Sequence, residues 1–227
     1  MKRKIIDAFK SPLKEKNAAM DIIIGGLLLY FPVVQFISFG YIVKKLQYII
    51  AMEKSTPKWD DNLKELFLLG AKACAILLVF MILPLLLTFL EGFFVSSLTQ
   101  GKIWSIFFLK GQVIGLLKSV LFFLAFFFLP FSFCLLLETK ILRSAFDIRE
   151  ILERILLIPR EYLLIYIVIM ALYLSSFILI ILLMNWVAAL LLAGFIFFYV
   201  GLVAANLVGK IFPRKMITIP LQQKNPS

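Results

Sequence analysis

The feature that most constrains this chain of 227 residues is a set of apolar runs, each longer than 20 residues. Hydrophobic residues make up 63% of the sequence, whereas about half is usual in a soluble domain. A helix of about 20 apolar residues spans the hydrocarbon core of a bilayer. Because the backbone finds no water there, only helices and closed barrels cross it, and the alternating polarity of barrel strands is missing from this sequence. The sequence therefore predicts an all-α polytopic membrane protein.

Four of the runs are clean and are predicted to be full transmembrane helices: 66–90, 113–137, 162–184 and 186–208. Pro84 and Pro130 lie inside the first two, and Asn185 alone separates the last two. A one-residue gap is too short for a loop, so the last two spans are expected to form a tight hairpin.

A fifth run, residues 21–45, is broken in its middle by Pro32. Proline in a helix interior removes a backbone hydrogen bond and kinks the chain. Gly25, Gly26 and Gly40 add further weak points around the break. This run either crosses the membrane once or folds back on itself at Pro32.

The distribution of lysine and arginine favours the returning form. Segments 44–72 and 138–161 hold six and five basic residues and the C-terminal tail holds four, whereas segment 91–112 holds two. Basic residues collect on the cytoplasmic side of membrane proteins. If the run 21–45 returns, the six basic residues of 1–19 also stay inside, giving 21 inside and two outside; a crossing run gives 15 and eight. We therefore predict a re-entrant-like hairpin with both termini cytoplasmic, and a single crossing is the alternative.

The chain is predicted to form one membrane domain over residues 1–227. Its parts are a basic amphipathic segment at 1–19, a broken helical hairpin at 21–52, a two-span hairpin at 58–140, an amphipathic helix with a second two-span hairpin at 144–212, and a tail at 213–227. Charged amphipathic segments at 2–16, 58–66 and 144–159 precede the three hairpins and suggest a weak internal repeat. Chance similarity among leucine-rich segments is the alternative.

Two of these amphipathic segments have a recognisable apolar face. In the first the face is Ile5, Ile6, Phe9 and Leu13, which recur at helical spacing. We expect a helix on the membrane surface, interrupted near Ser11-Pro12, with a disordered basic tail as the alternative. In the third, Asp147-x-x-Glu150 resembles a capping box, and the face is Ile148, Ile151, Leu152 and Ile155.

The most distinctive short motif stands just before the first clean span and contains Pro57, Trp59, Asp60 and Asp61. One interpretation is a cation or partner site at the cytoplasmic surface. The other is structural, since tryptophan anchors at membrane interfaces and aspartates cap helix N-termini.

Four sequence features together make the chain similar to a known family. They are the glycine-opened helix broken at F-P-V-V-Q-F, the following G-Y, the P-x-W-D-D motif and the L-x-x-G-x-K-A span. It resembles an uncharacterised family of prokaryotic integral membrane proteins, a domain of unknown function. The matching residues are Gly25, Gly26, Pro32, Gly40, Tyr41, Pro57, Trp59, Asp60, Asp61, Gly70 and Lys72. The resemblance covers most of the chain and implies a polytopic membrane fold and a prokaryotic origin, but no activity. Such families often have Asn where this chain has Gln35.

Residues suited to catalysis or cofactor binding are scarce. The chain has no histidine, and Cys74 and Cys134 both lie in predicted spans, so neither a disulfide nor a metal is indicated. The motifs G-x-x-x-x-G-K-[ST], H-E-x-x-H and G-x-S-x-G do not occur. We therefore expect no enzyme, catalytic residue or cofactor, and we expect Gln35 to satisfy backbone groups freed at Pro32. The net charge of +11 indicates anionic headgroups as partners rather than nucleic acid.

Small residues mark candidate helix-packing faces, because they allow membrane helices to approach closely. They are the GxxxG pair Gly111 and Gly115, and the last-span residues Ala189, Ala193, Gly201, Ala205 and Gly209 at multiples of four. Their expected role is packing within the chain, with self-association as the alternative.

Three functions compete on this sequence. The first is a non-catalytic membrane scaffold or partner subunit. The second is a small permease or channel that uses helices broken at Pro32, Pro84 and Pro130. The third, with least support, is a membrane enzyme acting on lipid through Asp60 and Asp61.

Overall fold

The computed structural model describes residues 2–14, 17–53, 56–59, 62–98, 104–183 and 187–212. Within these ranges every regular element is helical, which confirms the predicted fold class. The elements are α1 Lys2–Lys10, α2 Ala18–Leu28, α3 Gln35–Ile50, α4 Leu63–Leu98, α5 Trp104–Thr139, a 3-10 helix Leu142–Phe146, α6 Ile148–Leu157, α7 Pro159–Leu183 and α8 Val187–Ile211.

In the described ranges, four helices are long and apolar enough to cross a membrane. The stretches concerned are Leu63–Leu90 in α4, Gly115–Thr139 in α5, Pro159–Leu182 in α7 and Leu192–Ile211 in α8. They agree with the predicted spans to within a few residues. Pro84 and Pro130 lie inside α4 and α5 without ending them, and Asn185 lies outside the described residues. Both helices extend into the segment 91–112 between the predicted spans, since α4 continues to Leu98 and α5 begins at Trp104.

Helices α2 and α3 form the returning hairpin that the distribution of basic residues predicted. The Ser38 hydroxyl donates a hydrogen bond to the Gly25 carbonyl oxygen at 2.9 Å and ties the two helices together. Their neighbours on α8 fix the directions. Gly26 lies against Phe195 of α8, and the earlier residue Gly25 lies against the later residue Phe198, so α2 runs antiparallel to α8.

Helix α3 runs the other way. Tyr41 packs on Phe198 with 5.9 Å between ring centroids, and Ile49, further along α3, packs on Gly209, further along α8. Helix α3 is therefore parallel to α8, and the chain reverses in the non-helical residues 29–34 around Pro32.

The backbone, rather than the Gln35 side chain, makes the hydrogen bond that restarts the helix after the turn. The Gln35 N–H donates to the Phe31 carbonyl oxygen at 2.8 Å. Hydrogen bonds between the Gln35 side chain and other described residues are absent, so its expected role as a partner for freed backbone groups is not observed.

The N-terminal segment is a helix over Lys2–Lys10, so the alternative of a disordered tail is wrong there. Its buried face agrees with the predicted one only in part. Ile5 and Phe9 pack against the core. Ala8 is fully buried, whereas Ile6 and Leu13 are exposed. The helix turns its Ala8 side inward because it packs on α8, whose Tyr199 hydroxyl donates to the Phe9 carbonyl oxygen at 2.9 Å.

Helix α6 begins as predicted, since the Asp147 side chain accepts a hydrogen bond from the Glu150 N–H at 3.2 Å. Only half of its predicted apolar face is used. Ile151 and Ile155 are buried, whereas Ile148 and Leu152 are exposed. We conclude that the inward face of α6 is narrower than its sequence pattern indicates.

The amphipathic segment predicted at 58–66 is not a separate helix. The described residues before α4 are irregular, and α4 itself begins at Leu63. Asn62 has a φ of 46°, a conformation that asparagine adopts more readily than most residues, and its carbonyl oxygen accepts from Glu65 N–H. Residues 60 and 61 lie outside the described part of the chain, so the threefold repeat stays a prediction.

Helices α1 and α6 meet the C-terminal end of α8 at one end of the bundle. Asp7 of α1 acts electrostatically on Lys210 of α8, and the Arg154 guanidinium of α6 lies 6.0 Å from the ring centroid of Phe212. Helix α1 and the C-terminal end of α8 therefore lie at the same end of the bundle, which is the arrangement that a returning hairpin requires.

We predict that this end faces the cytoplasm, because basic residues are retained there. In a chain whose two native cysteines are replaced by alanine, Lys10→Cys should react with a membrane-impermeant maleimide only after the membrane is opened. Gln100→Cys, in the segment with few basic residues, should react in intact cells. External labelling of Lys10→Cys would show that the orientation is wrong.

A charge cluster joins α5 to α6 at the same end. The Arg154 guanidinium donates to the carboxylates of Glu138 and Glu150. Burial lowers the pKa of Arg154. The hydrogen bonds and charges of the two glutamates raise it by a larger amount, so the pKa lies above its usual value. Arg154 therefore stays charged and bridges the two helices.

Replacing Arg154 with glutamine should lower the free energy of unfolding by about 1–3 kcal/mol, because hydrogen bonds to charged groups contribute about that much. The measurement is unfolding in mixed detergent micelles, followed by circular dichroism. The matched control is Arg149→Gln, whose exposed pair with Glu153 at 3.1 Å should contribute less than about 1 kcal/mol. Equal losses in both variants would contradict the bridging role.

Candidate functional site

Helices α3 and α4 cross at two glycines. A Cβ built at Gly40 would overlap the backbone carbonyl of Leu66, and one built at Gly70 would overlap the backbone carbonyl of Phe36. Small residues let membrane helices approach this closely. The second half of the hairpin is therefore held backbone to backbone against the first long helix.

Helices α2 and α8 cross at a second set of glycines. A Cβ at Gly25 would overlap the Phe198 ring, and one at Gly26 would overlap Phe195. The Gly194 N–H of α8 donates to the Tyr30 hydroxyl oxygen at 2.7 Å. The tip of the hairpin is thus tied to α8 as well as packed on it.

An aromatic cluster, which we call the hairpin lock, fixes the loop before α4 to both halves of the hairpin. The Trp59 ring stacks on Tyr41 of α3, with 4.2 Å between centroids and an interplanar angle of 12°. Its indole N–H donates to the Asp21 carboxylate of α2 at 2.8 Å, and Phe198 of α8 lies 6.0 Å away. The hairpin lock consists of these four residues.

The lock changes the interpretation of the P-x-W-D-D motif. Trp59 is half-buried and stacks on Tyr41, a contact that the sequence did not indicate, and Pro57 is fully buried. Asp60 and Asp61 lie outside the described residues, so neither the cation site nor the helix cap is placed.

A half-buried ion pair that the sequence did not indicate lies beside the Gly40–Gly70 crossing. The Lys44 ammonium is 3.1 Å from a Glu65 carboxylate oxygen, and the Lys44 side chain is only 8% exposed. In the sequence Lys44 counts simply as one of the basic residues on the cytoplasmic side. Its burial depends on α4 lying against α3, which sequence spacing does not reveal.

A chamber of about 680 Å³ lies among the turn that follows α2 and helices α3, α4, α5, α7 and α8. Helix α8 contributes its longest wall, formed by Ala193, Gly194, Phe197, Gly201, Ala204, Ala205 and Val208. On the hairpin side Leu29, Tyr30 and Phe39 contribute, and Pro130 contributes from α5. Pro32 and Gln35 do not line it.

The chamber lining offers almost no polar chemistry. The Tyr30 hydroxyl accepts from Gly194, and the Tyr166 hydroxyl donates to the Phe123 carbonyl oxygen at 2.9 Å. Among the described residues, groups of three or more metal-ligating side chains do not occur. The arrangement is suited to holding apolar atoms rather than ions or polar solutes.

The candidate packing residues have different surroundings. Gly201 and Gly209 face Ile42 and Ile49 of α3, and Gly201 also lines the chamber together with Ala193 and Ala205. A Cβ at Gly115 would meet no described heavy atom within 4 Å. The other two, Gly111 and Ala189, lie in helices where the side-chain surroundings are outside the described part of the chain.

Comparison with known proteins identifies one family. Comparison with curated proteins finds no match, and comparison with solved structures finds none either. The family described as "Protein of unknown function (DUF4013)" matches residues 23–185. That range holds most of the chain, including most of α2, all of α3, the lock residues Tyr41 and Trp59, and the long helices α4, α5 and α7. The chain therefore belongs to the DUF4013 family of proteins of unknown function.

Proposed function

We propose that the protein is a non-catalytic membrane scaffold or partner subunit. The observation that carries this proposal is the position of the family-motif residues in the structure. Six of the nine that the structure describes pack the hairpin into the bundle, at the helix crossings or in the hairpin lock: Gly25, Gly26, Gly40, Tyr41, Trp59 and Gly70. Positions by which the chain resembles its family are thus used to hold a frame together.

The outer surface supports the same proposal. Along α4 the exposed side chains Leu78, Ile82 and Leu86 recur every four residues and are followed by Phe89, which is 72% exposed. Side chains three and four residues apart share one face of a helix. An apolar stripe with an aromatic end suits a partner helix, because aromatic residues are enriched in the cores of protein interfaces. On the cytoplasmic side, the basic segments would contact anionic headgroups.

Photo-crosslinking in the native membrane tests the scaffold. A benzophenone amino acid at Leu78 should give a discrete protein adduct, and Ile82→Ala on the same stripe should weaken it. Ile178→Ala, at an exposed position of α7, is the control and should leave the adduct unchanged. Adducts to lipid alone would contradict the proposal.

A small permease is the second candidate, and the chamber is the observation that favours it. Pro130 lines the chamber and the Pro32 turn stands at one end of α2 and α3, so broken helices border an internal space, as in many transporters. The apolar lining restricts such a solute to apolar molecules. Flux of an apolar fluorescent solute into liposomes should then fall in Pro32→Ala; unchanged flux would discredit this mechanism.

A further inference from the structure

We infer that the chamber binds one acyl chain of a bilayer phospholipid. This site goes beyond the scaffold role and stands or falls on its own test. Its position is the first support. The lining residues on α4, α5, α7 and α8 all lie within the stretches that are long and apolar enough to cross a membrane, so the chamber lies at the depth of the hydrocarbon.

The shape of the chamber fits an alkyl chain. On α8 the lining runs from Ala193 to Val208, and at 1.5 Å per residue this is about 22 Å. Non-bonded carbons pack about 4 Å apart, so an extended alkyl chain about 22 Å long fills about 350 Å³. The chamber of about 680 Å³ holds one such chain with room to bend.

The same arithmetic excludes a helix as the occupant. A helix with its side chains is about 10 Å wide, so 22 Å of it occupies about 1,700 Å³. This exceeds the chamber more than twofold. Neither a helix from a second copy of this chain nor one from a partner protein fits.

The chemistry of the lining excludes water as the permanent filling. Apolar cavities stay dry, because a buried water needs two to four polar partners. Of the three tyrosines in the lining, Tyr30 and Tyr166 already bond through their hydroxyls to groups of the protein. The Tyr173 hydroxyl and the weakly polar Cys74 thiol remain, and they are too few to hold the chamber full of water. An empty chamber forfeits the dispersion contacts of its walls, and the surrounding lipid supplies chains that restore them.

Small residues create the space, and this makes the site testable. Ala204, of α8, lines the chamber, and a phenyl ring there would fill part of it. Cys74, of α4, lines it from the other side. Ala171 is exposed on α7 and provides a matched control for the same change of residue.

The experiment places the full chain in phosphatidylethanolamine and phosphatidylglycerol nanodiscs that contain phosphatidylethanolamine with a diazirine in mid-chain. After irradiation, crosslinked peptides are mapped by mass spectrometry. In the native chain we expect adducts on the inward residues of 166–177 and 193–208, in addition to those on the outer face of α4. Ala204→Phe should reduce the inner adducts about tenfold, since a phenyl ring displaces two or more buried methylenes, and Ala171→Phe should leave them unchanged.

Two results would overturn the inference. One is a native chain whose adducts are confined to outward-facing residues, which needs no variant to interpret. The other is inner adducts that persist in both Ala204→Phe and the second filling variant, Cys74→Phe, with circular dichroism confirming that these variants fold. Loss of the α4 protein adduct described above would leave the inner adducts in place, so the two proposals fail separately.

Discussion

Gly40→Ala should destabilise the protein by about 3 kcal/mol or more. Overpacking a filled site costs about 1–3 kcal/mol when side chains can move aside. Here the new methyl group meets the Leu66 carbonyl of the facing helix, and a backbone group in a helix cannot rotate away. Helices α3 and α4 must then separate, which also strains the Lys44–Glu65 pair. Unfolding in mixed detergent micelles, followed by circular dichroism, measures the loss.

Gly115→Ala is the matched control, with the opposite sign. A Cβ at Gly115 meets no described heavy atom within 4 Å, and alanine in a helix interior is more stable than glycine by about 0.5–1 kcal/mol. The same chemical change should therefore stabilise α5 slightly. A Gly40→Ala variant as stable as the native protein would show that α3 and α4 do not cross as closely as the structure has them.

The hairpin shows how far sequence reasoning reaches. The clean spans follow from hydropathy, and the reversal at Pro32 follows from one proline and from the number of basic residues that a crossing would carry outside. The cap of α6 was equally predictable, because Asp147 and Glu150 are three residues apart. These features depend on local spacing or on segment totals, both of which a sequence records directly.

What the sequence missed depends on contacts between distant residues. The Trp59 indole donates a hydrogen bond to Asp21, 38 residues earlier. Local spacing therefore could not distinguish packing against the hairpin from a position at the membrane interface. Small residues in α8 pose the same difficulty. Gly209 faces Ile49 and Ala204 faces the chamber, yet both are small residues in one apolar helix. The opposing helix decides whether a small residue makes a close contact or an empty space.

Trp59→Ala is the second substitution with a large expected effect. It removes the ring stacked on Tyr41 at 4.2 Å and the hydrogen bond to Asp21. Large-to-small replacement of a packed tryptophan costs about 3–5 kcal/mol; because Trp59 is only half-buried, we expect about 3 kcal/mol. Phe89→Ala, which removes an exposed ring from α4, should change stability by no more than about 0.5 kcal/mol.

A double-mutant cycle separates the two parts of the lock. Trp59→Phe keeps an aromatic ring on Tyr41 but loses the indole N–H, so it should cost about 1.5–3 kcal/mol, the contribution of a hydrogen bond to a charged group. In an Asp21→Ala background the same change should cost almost nothing, because the acceptor is already gone. Equal costs in both backgrounds would mean that the Trp59–Asp21 bond does not hold α2 in place. The return of the chain would then depend on the glycine crossings and on the hydrogen bonds of Ser38 and Tyr30, and Gly25→Ala should be more damaging than Trp59→Ala.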